Sequence, residues 1–150
     1  MKRSVLLRGA CAALLVSAGL AGCANYGGAA GQQLFDASLS GAQEVPPATT
    51  GGSGKANVRY NPATTMLSWS VTHSGLSGPV TAAHIHGPAG PGQNAGVVIP
   101  FTNVGAETIS GEARLTPEQL GQLTSGQWYV NLHTAANPGG EIRGQLRPNR

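Results

Sequence analysis

The sequence predicts an all-β domain, an antiparallel β-sandwich with one short helix, and three observations carry that prediction. Short runs alternate apolar with polar residues, as Ala56, Val58 and Tyr60 do against Lys55, Asn57 and Arg59, the period of a strand with one buried face. Turn residues interrupt these runs every ~8–12 residues, which gives about seven or eight short strands. The chain holds 23 Gly and 10 Pro but only 10% charged residues, so punctuation is abundant and helix formers are scarce.

The first residues fall outside that domain. Lys2, Arg3 and Arg8 precede an apolar run over 11–20, which closes on Leu20-Ala21-Gly22-Cys23. This is the pattern of an export signal, too short to span a bilayer. The ending resembles a bacterial lipobox, which implies cleavage before Cys23 and lipid on its sulfur. Residues 1–22 are therefore expected to be a signal peptide, 23–32 a flexible tether rich in small residues, and 33–150 the domain. The expectation is an exported protein, lipid-anchored at the cell envelope, with Ala24 favouring the outer membrane. Its partners would be the membrane, through Cys23, and an unknown envelope component.

Processing also changes the charge. Of nine basic and six acidic residues, Lys2, Arg3 and Arg8 leave with the signal, so six stand against six. The isoelectric point near 9.2 belongs to the precursor and is no argument for nucleic acid binding. Neither Cys11 nor Cys23 remains as a thiol in the mature domain, so a metal site there must use His, carboxylate or backbone oxygen.

Along the domain, 34–39 reads as the first strand, followed by Pro46-Pro47 at an irregular exit. Strands at 54–60 and 66–73 form a hairpin about the turn at 61–64, with Leu67, Trp69 and Val71 inward. The next strand carries His84-Ile85-His86, and the loop 87–96 is long enough to suggest function. Strands at 97–101 and 107–115 follow. Thr116 is an N-cap, Pro117 opens a helix, Gln119 completes a capping box and Gly126 ends it. Leu120 and Leu123 give that helix an inward face. Strands at 127–133 and 141–146 form the last hairpin.

Parity then gathers a site. With Ile85 inward, His84 and His86 point outward. With Trp128, Val130 and Leu132 inward, Tyr129, Asn131 and His133 point outward too. Ile142 and Leu146 leave Glu141, Arg143 and Gln145 on the outer side, with His133 opposite Glu141 and Asn131 opposite Arg143. His84, His86 and His133 are thus candidate ligands for copper or zinc. Glu141 is expected as a fourth ligand or as the acceptor fixing His133, and Arg143 as an anion holder or a partner of Glu141. Asn131 and Tyr129 complete the support. The competing reading is a polar face on which the histidines pack against Pro88 and Tyr129. His73 shares parity with Trp69 and reads as a strand-end or core residue. Asp36, Glu44, Glu107, Glu112 and Glu118 are scattered and read as solvated surface. No G-x-S-x-G elbow, H-E-x-x-H pair, phosphate loop or dinucleotide fingerprint is present, so no catalytic residue is assigned and no nucleotide is expected.

Three stretches carry a resemblance: "LSGAQEVPP", "LSWSVTHSGLSGPVTAAHIHGPAGPG" and "GQWYVNLHTAANPGGEIRGQL". Together they resemble the CHRD domain, a β-rich extracellular module first described in chordin. The similarity runs from about Leu39 to Leu146. Residues matching its motifs include Glu44, Pro46, Pro47, Trp69, His84, His86, Gly87, His133, Gly140, Glu141 and Arg143. The single copy and the missing cysteine-rich neighbours depart from chordin, so growth-factor antagonism does not carry over. A Greek-key sandwich of immunoglobulin-like or superoxide-dismutase-like form is expected, and the His-x-His strand is similar to the copper strand of copper/zinc superoxide dismutase. The disulfide and zinc loop of that family are absent, which makes this likeness an analogy. Three functions stay open: a copper- or zinc-binding module, a non-metal envelope interaction module, and a copper redox enzyme.

Overall fold

A computed structural model describes residues 31–149; the signal segment, Cys23 and nearly all of the tether lie outside the described residues. Among the described residues there are nine strands: β1 (Gln33–Ser40), β2 (Ser53–Asn61), β3 (Met66–Ser74), β4 (Val80–His86), β5 (Val97–Pro100), β6 (Thr108–Arg114), β7 (Tyr129–Thr134), β8 (Ile142–Gln145) and the short β9 (Arg147–Pro148). They form one sheet in the order β5-β4-β7-β8-β1-β2-β3-β6, with β9 beside β1. Every pairing is antiparallel. The sheet folds around its own apolar face and nearly closes, as the stacking of Trp69 on Phe101 at 4.7 Å near its two ends reflects. The long-range pairs β3–β6, β4–β7 and β1–β8 give the crossed connections of a Greek key.

Alternation does what the sequence predicts. Ala56, Val58, Tyr60, Leu67, Trp69 and Val71 are buried, while Lys55, Asn57 and Arg59 face solvent. Ile85, Val130, Leu132 and Ile142 are fully buried. Burying one such side chain is worth about 1.5–3 kcal/mol. A one-residue slip of β4 would expose Ile85 and drive His84 and His86 into the core, so the burial of Ile85 sets the direction of both imidazoles.

The helix α1 (Pro117–Thr124) carries the expected capping box. Gln119 N–H donates to Thr116 Oγ1 and Thr116 N–H to Gln119 Oε1. Gly126 ends the helix at φ +69°, a conformation that suits glycine. Leu123 is fully buried, as is Trp128, whose indole N–H reaches Gln122. The helix thus closes one side of the core and leads into β7. A one-turn 3-10 helix at Gly41–Gln43 follows β1. It and β9 are additions to the elements read from sequence.

Candidate metal centre

Strands β4 and β7 build the site. Their register pairs His86 with Tyr129, His84 with Asn131 and Ala82 with His133. His133 therefore sits diagonally across from His84 on the outer face, within reach of its ring. An irregularity between Val80 and Ala82 leaves Thr81 unpaired. Plain alternation would put Val80 on the histidine face, yet Val80 is buried in the core. A bulge of this kind re-aims side chains beside a site. A second irregularity, at Ile85/His86, lies on the β5 side.

Backbone carbonyls orient two of the rings. His133 Nδ1 lies 3.0 Å from Pro138 O, and His86 Nδ1 lies 3.0 Å from Ala95 O. A carbonyl only accepts, so each Nδ1 carries the proton and each Nε2 is a lone pair. His133 Nε2 is 3.2 Å from His84 Nδ1. His86 Nε2 is buried and has no hydrogen-bond partner. Each of the three histidines offers a ligand nitrogen, and these nitrogens all lie within 4.8 Å of one another. All three side chains are half-buried. Burial, and then the neighbouring imidazoles His133 and His86, lower the His84 pKa. Burial is also the main cause lowering His86, opposed by its bond to Ala95. Both effects favour the neutral rings that bind metal.

The remaining expected residues divide. Tyr129 stacks on His86 at 4.9 Å with planes 4° apart, so the predicted packing of histidine on Tyr129 is present. Arg143 lies over Tyr129 with its guanidinium carbon 3.4 Å from the ring centroid. Because β7 runs between β4 and β8, His86 and Arg143 sandwich the phenol from opposite sides. Arg143 is 2% exposed and donates to Asn94 Oδ1 and to the carbonyls of Gln93 and Gly90. It clamps the 87–96 loop, whose Ala95 carbonyl in turn holds His86. Among the described contacts it does not meet Glu141.

Glu141 is the correction. Its carboxylate is fully buried and accepts from Thr50 Oγ1, Ser77 N–H, Ser77 Oγ and Thr134 Oγ1, at 2.5–2.7 Å. Thr134 belongs to the opposite face of β7 from His133, so the carboxylate leaves the histidines. The physical reason is that β8 begins at Ile142; Glu141 stands in the preceding turn, where strand parity does not govern it. Burial raises its pKa, but the bonds from Ser77, Thr134 and Thr50 outweigh this and hold it at about 2. The second predicted pair, Asn131 with Arg143, is present in the register.

Glu44 is the residue that sequence reasoning missed. It is 6% exposed, not solvated, and Asn131 Nδ2 donates to both its oxygens at 2.7 and 2.9 Å. Burial raises its pKa to about 7, against the bond from Asn131 and the charge of Arg143. The signal available was the QEVPP stretch, whose prolines hold the acid at an irregular turn instead of on a strand. Gly140 makes room for this contact: its φ is +133°, and a Cβ there would lie 2.7 Å from both Asn131 Nδ2 and Glu44 Oε2. Gly140→Ala is expected to cost about 2–3 kcal/mol, combining backbone strain with a broken buried hydrogen bond. Urea unfolding checks this, and a loss under ~0.5 kcal/mol would contradict it. His73 ends β3 with its Nε2 buried and unpartnered, as a strand-end histidine.

Comparison with known proteins places these features in a family. The CHRD domain family model matches residues 35–146, which includes every residue of the histidine cluster. No curated protein and no solved structure matches the chain.

Proposed function

This chain belongs to the CHRD domain family, and from that premise we propose that it is a metal-binding module holding one copper or zinc ion on His84, His86 and His133. The observation that carries the reading is the buried His86 Nε2, a lone pair with no donor, in a trio of converging ligand nitrogens. An unmet buried acceptor costs about 1–3 kcal/mol, and a cation removes that cost. Three neutral imidazoles suit copper or zinc. A tetrahedral ion with bonds near 2.0–2.1 Å sets its nitrogens about 3.3 Å apart. The 3.2 Å between His84 Nδ1 and His133 Nε2 matches that spacing, and the ligand nitrogens of all three rings lie within 4.8 Å of one another. The carbonyls of Pro138 and Ala95 supply the outer support that metal-binding histidines need.

With Glu141 turned away, the protein offers three nitrogens, and a further coordination position is left for water or an added ligand. The copper redox reading needs that position. Titration of metal-free protein with zinc and copper separates the readings. One ion per chain supports the module; only weak, unsaturable uptake leaves the non-metal envelope module. Superoxide turnover no faster than that of free copper removes the enzyme. Protons compete for the imidazoles, so affinity is expected to fall on acidification, and because burial lowers the His84 and His86 pKa values the fall begins below the ordinary imidazole range. A profile still flat at pH ~4 would contradict imidazole ligation.

We further propose that Cys23 carries lipid and anchors the domain at the cell envelope, on the support of the Leu-Ala-Gly-Cys ending alone. Cys23→Ser is expected to move the protein from the membrane to the soluble fraction on cell fractionation. Unchanged membrane association would contradict the anchor.

A further inference from the structure

A second built site lies beside the histidines and uses none of them. A cleft of about 450 Å³ opens between the 41–47 segment and the 87–96 loop, walled by Val45, Pro47 and Pro91 over Glu44, Arg143 and Gln145. This volume falls in the range of sites for small ligands. Three polar side chains in its lining are nine-tenths buried or more: Glu44 is 6% exposed, Arg143 2% and Gln145 9%. Asn131 fixes Glu44 in place, while Asn94 and Gln93 fix Arg143, so neither charge can swing aside. A bare anion entering the cleft meets Glu44, and a bare cation meets Arg143. Gln145 gives its Nε2 to the carbonyls of Ala89 and Gly126, which leaves its buried Oε1 without a donor.

We propose that this cleft binds a short peptide through its backbone amides, with small apolar side chains against Val45, Pro47 and Pro91. An amide is the group that answers both charges at once: its carbonyl accepts from a guanidinium, and its N–H donates to a carboxylate. A second amide N–H answers the vacant acceptor of Gln145. The proline and valine walls add burial without imposing a charge.

The test uses metal-free protein, so that its outcome is independent of the histidine site, at pH ~8, where Glu44, with its pKa of about 7, is ionised. The probe is the capped dipeptide acetyl-Ala-Leu-amide, followed by amide NMR shifts. Saturable shifts at Glu44, Val45, Gln93 and Asn94 are expected, with a Kd of about 1 mM for so small a ligand. Ala42→Trp crowds the exposed rim of the cleft and is expected to weaken binding at least ~10-fold. Pro91→Trp repeats the block from the opposite wall, should the first variant fold poorly. Acetate and methylammonium, each alone, should give no saturable shift at these positions. The proposal is overturned by no saturation at ~20 mM probe, by equal binding in a folded rim variant, or by equal binding of either simple ion.

Discussion

Glu141→Ala is expected to lower the free energy of unfolding by about 3–5 kcal/mol. The carboxylate ties three separate segments together: Thr50 in the loop before β2, Ser77 between β3 and β4, and Thr134 at the end of β7. Its removal takes the acceptor from a buried hydroxyl at Thr134 and from part-buried bonds at Thr50 and Ser77, and a fully buried group left so costs about 1–3 kcal/mol. Glu141→Gln keeps one acceptor oxygen and should lose roughly half as much. Glu107, by contrast, is exposed, and Glu107→Ala should stay within about 0.5 kcal/mol. The midpoint of urea unfolding, with its slope, checks all three.

The same carboxylate gives a pH signature. Its pKa in the folded protein is about 2, below the ordinary 4.5. A depressed acid stabilises the fold fully above its unfolded value and loses that contribution as pH falls through its folded one. The wild type should therefore lose about 3 kcal/mol more than Glu141→Ala between pH ~5 and ~2. Glu44 works in the opposite sense. Its raised pKa of about 7 means that the folded state holds the extra proton, so its contribution declines as pH rises from 4.5 towards 7. Parallel curves for wild type and Glu141→Ala below pH 5 would show that the hydroxyl cage does not hold the charge.

The second large effect is on metal affinity. Replacing an outer-shell partner of a metal ligand costs about 10–100-fold, so removing a ligand itself should cost at least ~100-fold. His133→Ala is the sharper choice over His84→Ala, because His133 comes from β7 while the other two share β4. Losing it leaves a two-residue His-x-His pair on one strand. Tyr129→Phe is a useful contrast. It keeps the ring stacked on His86 but removes the hydroxyl that meets Ala95, and should weaken affinity by about 10-fold, as an outer-shell change does. Equal metal affinity in His133→Ala and wild type would confine any site to β4.

The fold was legible because its strands alternate cleanly. Ala56-Val58-Tyr60 and Leu67-Trp69-Val71 announce their buried faces, and Thr116, Pro117 and Gln119 announce the helix. The same parity brought His84, His86 and His133 together across two strands that are distant in sequence. It failed at Glu141, where the ladder has not yet begun and a turn directs the side chain to Thr134. The bulge at Thr81 likewise inverts the count for Val80, which is buried. Glu44 was invisible for a different reason: its partner Asn131 lies 87 residues away, and no local pattern marks an acid that a distant amide will bury. Arg143 was placed on the right face, but its loop acceptors at Gln93 and Asn94 are ones that sequence does not position.

The most direct test of the metal reading is pulsed electron paramagnetic resonance on the protein loaded with one equivalent of Cu²⁺, counting the coordinated imidazoles. Three are expected in the wild type and two in His133→Ala. A count of zero or one in the wild type, or a count that His133→Ala leaves unchanged, would contradict it.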